Sequence, residues 1–110
     1  MLTTMTSKLP AHPVMELARF EVEPANDAET ARQAERLFAV VREHFPGLLS
    51  AARVRLGAGQ WVDVVLWRSR AEADAAAAGF GAVPELVALT RNITQMVEML
   101  HGDVAYATPG

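Results

Sequence analysis

The stretch Trp61–Ala78, WVDVVLWRSRAEADAAAA, decides the fold. It opens with the period of a strand. Val62, Val64 and Leu66 make one purely apolar face, and Trp61, Asp63, Val65 and Trp67 make the other. At Ser69 the pattern turns helical. Serine is a good N-cap, and Glu72 follows three residues later, which is the spacing of a capping box. Asp63 is the residue to explain. A carboxylate between two tryptophans is costly to bury unless it is paired. Its face therefore either meets water or lines a cavity that contains polar groups.

Working back from Trp61, Gly57-Ala58-Gly59 reads as a tight hairpin loop, and LLSAARVRL (48–56) as the partner strand. A three-residue loop pairs Leu56 with Gln60. Arg55 then lies opposite Trp61, Arg53 opposite Asp63, Ala51 opposite Val65 and Leu49 opposite Trp67. The other face pairs Val54 with Val62, Ala52 with Val64 and Ser50 with Leu66. It is small and apolar, as a surface under helices should be. The expectation is therefore that Val62, Val64 and Leu66 lie beneath the helices.

Further upstream, Asn26 or Asp27 caps a helix whose apolar stripe is Ala34, Leu37, Phe38, Val41 and Phe45. Pro46-Gly47 stops it. VMELARFEVEP (14–24) is a first strand that Pro24 ends. Val14, Glu16, Ala18, Phe20 and Val22 share one face; Met15, Leu17, Arg19 and Glu21 share the other. Both mix apolar and charged residues, so the pattern leaves the inward face open. Downstream, the alanine-rich helix from Arg70 ends at Gly79 or Gly81, and a second helical piece starts at Pro84. A last strand falls within TQMVEMLHGDVAYA (94–107), with a bulge or bend suggested at Gly102. Val97, Met99 and His101 share one of its faces; Met96, Glu98 and Leu100 share the other.

The order β-α-β-β-α-β predicts a ferredoxin-like α+β domain over residues 14–107, with helices on one face of an antiparallel sheet. Residues 1–13 read as a mobile N-terminal tail. The face expected to stay bare carries Arg53, Asp63, Trp61 and Trp67. An uncovered sheet face with two tryptophans marks an interface, and a second copy of the same sheet is the simplest cover.

Composition narrows the function. The 110 residues are 51% hydrophobic and 21% charged, which is globular. A net charge of -3 argues against nucleic acid as the main partner. Without cysteine there is no disulfide, thiol nucleophile or thiolate metal site. No apolar run reaches transmembrane length, and MLTTMTSKLPAHP lacks the core of a signal peptide, so a membrane is not an expected partner and the cytoplasm is the expected compartment. There is no phosphate-binding glycine loop, no nucleophile elbow and no cluster at metal spacing.

PGLLSAARVRLGAGQWVDVVLWRSRAEADAAAA resembles the antibiotic-biosynthesis-monooxygenase family of the dimeric α+β barrel superfamily. The features that carry the likeness are Pro46-Gly47, Ser50, the Gly57–Gly59 hairpin and Trp67-Arg68-Ser69. The resemblance spans about Met15 to Ala105. It implies two sheets paired into a barrel, a pocket between sheet and helices, and oxidation of polycyclic phenols to quinones by O₂ without metal, flavin or other cofactor. Two departures stand out. Asp63 occupies the place of an asparagine; an amide can donate a hydrogen bond to developing negative charge and a carboxylate cannot. The aromatic expected early in the following helix is missing from Ala73–Ala78. A haem-degrading branch needs a histidine where Ala77 stands, which argues against that activity.

The candidate catalytic residues are Asp63 and His101, and the candidate substrate contacts are Trp61, Trp67, Arg53, Glu16 and Phe20. Asp63 has a plain reading, a solvated residue or the partner of Arg53, and a functional one, general base toward a phenolic or enolic proton if burial and the tryptophans raise its pKa. His101 is either a strand-end histidine or a proton carrier at the pocket mouth. Trp67 is either core or pocket wall. The leading expectation is a homodimer that oxygenates a small aromatic molecule without a cofactor. The alternative is a binding or structural dimer of the same fold.

Overall fold

The computed structural model describes residues 12–109. The expected tail, residues 1–13, falls outside that range as far as residue 11. The elements run β1 (Val14–Val22), α1 (Asp27–His44), β2 (Leu48–Gly57), β3 (Gln60–Trp67), α2 (Arg70–Gly79), α3 (Pro84–Leu89) and β4 (Ile93–Asp103). Single 3₁₀ turns at Pro24–Asn26 and Phe80–Ala82 precede α1 and follow α2. The sheet order is β2-β3-β1-β4, and every pairing is antiparallel. This is the ferredoxin-like α+β fold expected from the sequence.

Local chemistry sets the boundaries. Ser69 caps α2, with its Oγ accepting from the Glu72 N–H at 3.2 Å. The Glu72 carboxylate accepts from the Ser69 hydroxyl at 3.2 Å instead of reaching the serine backbone. Glu72 also lies over Gly47, where a Cβ would come within 2.6 Å of the Glu72 side chain. The β2–β3 hairpin is tighter than expected: Gly57, not Leu56, pairs with Gln60, and only Ala58 and Gly59 form the loop. Gly59 has φ +70°, the left-handed region that glycine tolerates best. The expected register holds from Ser50 to Arg55, including Arg53 opposite Asp63. At the far end a shift puts Leu48, not Leu49, opposite Trp67.

The face assignment of the sheet is the reverse of the expectation. Trp61, Asp63, Val65 and Trp67 are the buried residues of β3. Val65 and Trp67 pack with Leu37, Val40 and Val41 of α1, Ala73 and Ala76 of α2, and Leu86 of α3. Val62, Val64 and Leu66 lie on the side away from the helices and are partly exposed. Two facts cause the reversal. The Trp67 indole fills space between sheet and helices that a valine would leave open. The cost of burying Asp63 is offset because Arg53 lies opposite and is buried with it, its side chain only 4% exposed.

The inward face of β1 is Val14, Ala18, Phe20 and Val22, with Glu16 among them, while Arg19 points to the other side and pairs with Glu98. In β4, shifts opposite β1 between Arg19 and Phe20 and between Glu21 and Val22 alter the expected alternation. Met96 thereby joins Met99 and His101 on the helix side, and the irregularity lies near Val97 and Thr94 rather than at Gly102.

Candidate functional site

The register arranges the helix side of the sheet in rows. One row is Arg55, Trp61, Phe20 and Met96. The next is Arg53, Asp63, Ala18 and Met99, and then Ala51, Val65, Glu16 and His101. Large apolar groups thus alternate with small residues, and two polar pairs, Arg53–Asp63 and Glu16–His101, sit in adjacent rows.

A cavity of about 510 Å³ lies between this surface and the helices. Its floor includes Glu16, Ala18, Phe20, Arg53, Asp63 and Trp67. Leu37, Phe38 and Val41 of α1 wall one side, and Ala76, Ala77 and Phe80 another. Ala18 and the α2 alanines are small, and this is what leaves the space open. Met96 and Met99 line the remaining side and are about half exposed, 48% and 50%. The size falls in the ordinary range for small-molecule sites, and the lining is mainly apolar with a few polar groups.

Arg53 is fixed from three directions. Its Nε and Nη2 donate to Asp63 Oδ1 and Oδ2 at 2.8 and 2.9 Å, and its Nη1 donates to the Thr30 carbonyl at 3.0 Å. The guanidinium also stacks over the Phe20 ring, 4.9 Å from its centroid, with Phe38 at 5.8 Å. Both Asp63 oxygens are therefore engaged. Asp63 lines the cavity, yet it does not have the free carboxylate that a general base needs. It acts here as the counter-ion that lets Arg53 sit inside.

Glu16 forms a second polar centre. Its Oε1 accepts from Trp67 Nε1 at 3.0 Å and lies 3.3 Å from His101 Nε2. Both the Glu16 and His101 side chains are only 15% exposed. β1 places Glu16, β3 places Trp67 and β4 places His101, so three strands converge on one carboxylate. His101 is not a wall of the cavity; it stands behind Glu16.

Trp61 is buried outside the cavity. It packs with Phe20, Val22 and Ile93, and its Nε1 donates to Asp27 Oδ1 at 2.8 Å. The same carboxylate accepts from the Gly59 N–H at 3.1 Å and pairs with Arg55 at 3.2 Å. The Trp61 hydrogen bond, aided by Gly59 and Arg55, holds the Asp27 carboxyl below its ordinary value against the opposing pull of burial. Trp61, expected as a substrate contact, does not line the cavity; it ties β3 to the start of α1.

Of the residues expected from the sequence, Glu16, Phe20, Arg53, Asp63 and Trp67 come together around one cavity, with His101 next to them. Simple alternation puts Met96 and Met99 on opposite faces of β4, yet both stand at the open side of the cavity. The roles of Phe38 in the cavity and of Asp27 beneath Trp61 were missed. Only the apolar stripe of α1 carried a signal for Phe38. Among the described residues no three His, Asp or Glu side chains gather in metal-binding fashion, and no helix is long and apolar enough to cross a membrane.

A four-stranded antiparallel sheet with helices on one side defines the structural class. Many solved structures similar to it in fold are named for the antibiotic biosynthesis monooxygenases. One from Bordetella bronchiseptica has a TM-score of 0.73 at 14% identity, covering 86% of this chain and 99% of its own. A mutant of SnoaB, a cofactor-independent oxygenase from Streptomyces nogalater, has a TM-score of 0.60 at 24% identity, covering 87% and 94%. One from Caulobacter crescentus has a TM-score of 0.63 at 18% identity, covering 87% and 91%. At these identities the likeness is one of fold. No protein-family model and no curated protein matches the sequence.

Proposed function

We propose that this protein is a homodimeric oxygenase of the antibiotic biosynthesis monooxygenase type, acting on a small polycyclic phenol without a cofactor. The observation that carries the reading is the mainly apolar cavity of about 510 Å³ with Arg53, Asp63, Glu16 and Trp67 on one wall. An apolar slot accepts a flat aromatic body, and the polar wall orients its oxygens. SnoaB, a neighbour in fold, is a cofactor-independent oxygenase.

Oxidation of a phenol to a quinone balances without an added reductant. The substrate loses two hydrogens and gains one oxygen atom from O₂, and the other oxygen leaves as water. The substrate must first become an electron-rich anion. The protein's part is to position it, take its proton and exclude water.

The face the helices do not cover supports the dimer. Leu17, Val54 and Leu100 are each at least 38% exposed there, with Val62, Val64 and Leu66 beside them. A second sheet would bury this surface, in an interface above about 1,000 Å².

The test is oxygen consumption by the purified protein with a panel of two- to four-ring phenols. Uptake with quinone formed is expected for at least one. Tight binding without uptake would favour the second reading, a non-catalytic binding protein, which the locked Asp63 at the asparagine position supports.

A further inference from the structure

Two carboxylates line the cavity, and their surroundings differ. Asp63 has both oxygens on Arg53. Glu16 has one engaged, since Trp67 and His101 both meet Oε1. Among the described residues Oε2 has no hydrogen-bond partner, although Glu16 lines the cavity and its side chain is only 15% exposed. The groups around Glu16 leave it as the one carboxylate with capacity to accept. From β3 come Val65 and the neutral Trp67. From β4 comes His101, with Asp103 one row beyond. The helix side of the same cavity contributes Ala76, Ala77 and Phe80, none of them charged. The Arg53–Asp63 pair in the next row neutralises itself.

We propose that Glu16 is the proton acceptor of the cavity, with Trp67 and His101 as its positioning residues. Its substrate class is a polycyclic phenol or the keto tautomer of one. This rests on reading the cavity as a substrate site. Glu16 Oε2 takes a proton from the acidic C–H of the keto form. The C–H bond breaks, a carboxyl O–H forms, and the electron pair moves to the ring oxygen as the phenolate. No oxidant takes part in this step. Trp67 can only donate, so it holds Oε1 as an acceptor and leaves Oε2 for the ligand. His101, partly buried behind Glu16, meets the same Oε1 and helps fix the carboxylate in place.

Proton transfer can be read apart from oxygenation. Anthrone, the keto tautomer of a three-ring phenol, is incubated in D₂O without oxygen, and loss of its acidic C–H signal is followed by NMR. Quenching of tryptophan fluorescence reports binding of the same probe. Wild-type protein is expected to bind anthrone and speed the exchange. Glu16→Gln should bind similarly and exchange slower by about 10²-fold or more, the usual size of a general-base contribution. Glu16→Asp should fall between them, and it carries the test if Glu16→Gln does not fold. His101→Gln should change the pH profile of exchange and leave affinity unchanged. Binding by wild type without faster exchange, or undiminished exchange in both Glu16 variants, overturns the proposal and leaves the cavity reading standing. No binding and no exchange with wild type removes both.

Discussion

Arg53 and Asp63, directly opposite on adjacent strands, are joined by two hydrogen bonds of 2.8 and 2.9 Å beneath α1. The guanidinium and the carboxylate fit as parallel forks, and the two side chains are 4% and 12% exposed. Removing one partner leaves the other charge buried and alone. Asp63→Ala and Arg53→Ala should each lower stability by about 3 kcal/mol or more. The pair replaced together by Met and Leu should lose less than the sum of the two. Urea unfolding of the four proteins measures this, and additive losses would show that the pair is not coupled.

Asp27 ties the start of α1 to the hairpin through Trp61 and Gly59, and its carboxyl is held below the ordinary value of 3.8. A carboxyl with a lowered folded-state value stabilises the fold above its unfolded value. That stabilisation disappears as pH falls through the lowered one. Asp27→Asn should therefore melt below wild type at pH 7, and the gap should close as pH drops below the ordinary carboxylate range. Thermal midpoints between neutral and strongly acid pH test the sign. A gap that widens in acid would remove Asp27 from this role.

Gly59 is the tightest point of the hairpin. Beyond its φ of +70°, a Cβ there would lie 2.4 Å from the Val22 carbonyl oxygen. Backbone cannot move aside as a flexible side chain can. Gly59→Ala should cost about 2 kcal/mol or more, from the left-handed conformation together with the clash. Gly81, where a Cβ meets nothing within 4 Å, is the matched control and should tolerate alanine far better in the same melting experiment.

Ala77 lines the cavity from α2 but is itself exposed. Ala77→Trp should fill the space with little loss of stability, since the indole replaces no packed group. A phenol that binds the wild type should bind the variant at least about tenfold more weakly, a change of about 1.4 kcal/mol. Unchanged affinity in a fluorescence or calorimetric titration would place the ligand elsewhere.

Val64 lies on the open face between Leu17 and Ala52 of the neighbouring strands. A charge there would be buried without a partner if two sheets met. Val64→Lys should give a folded monomer under conditions where the wild type sediments as a dimer. A wild-type monomer at micromolar concentration would count against the paired sheets.

Much of the architecture is legible along the chain because short-range chemistry writes it. Ser69 with Glu72, Pro46-Gly47 and the glycine-bearing loop mark where elements stop and start. Once the hairpin is recognised, pairing of Arg53 with Asp63 follows from counting residues. The end registers do not follow from counting. Whether Gly57 or Leu56 meets Gln60 depends on how Gly59 fits against Val22 and Asp27, which are distant in sequence.

The periodicity of β3 and β1 sorted residues into faces, because side chains alternate by backbone geometry alone. It placed Glu16 with Phe20, and Asp63 with both tryptophans. Which face lies under the helices was decided by tertiary packing. Hydrophobicity pointed to Val62, Val64 and Leu66 as the buried set. That choice depends instead on whether Asp63 finds Arg53, whether Trp61 finds Asp27 and whether Trp67 finds Glu16. Each of these contacts joins different elements and exists only once the sheet and helix have met. A buried polar group is costly alone and tolerable when paired, and its partner is known only when the chain is folded.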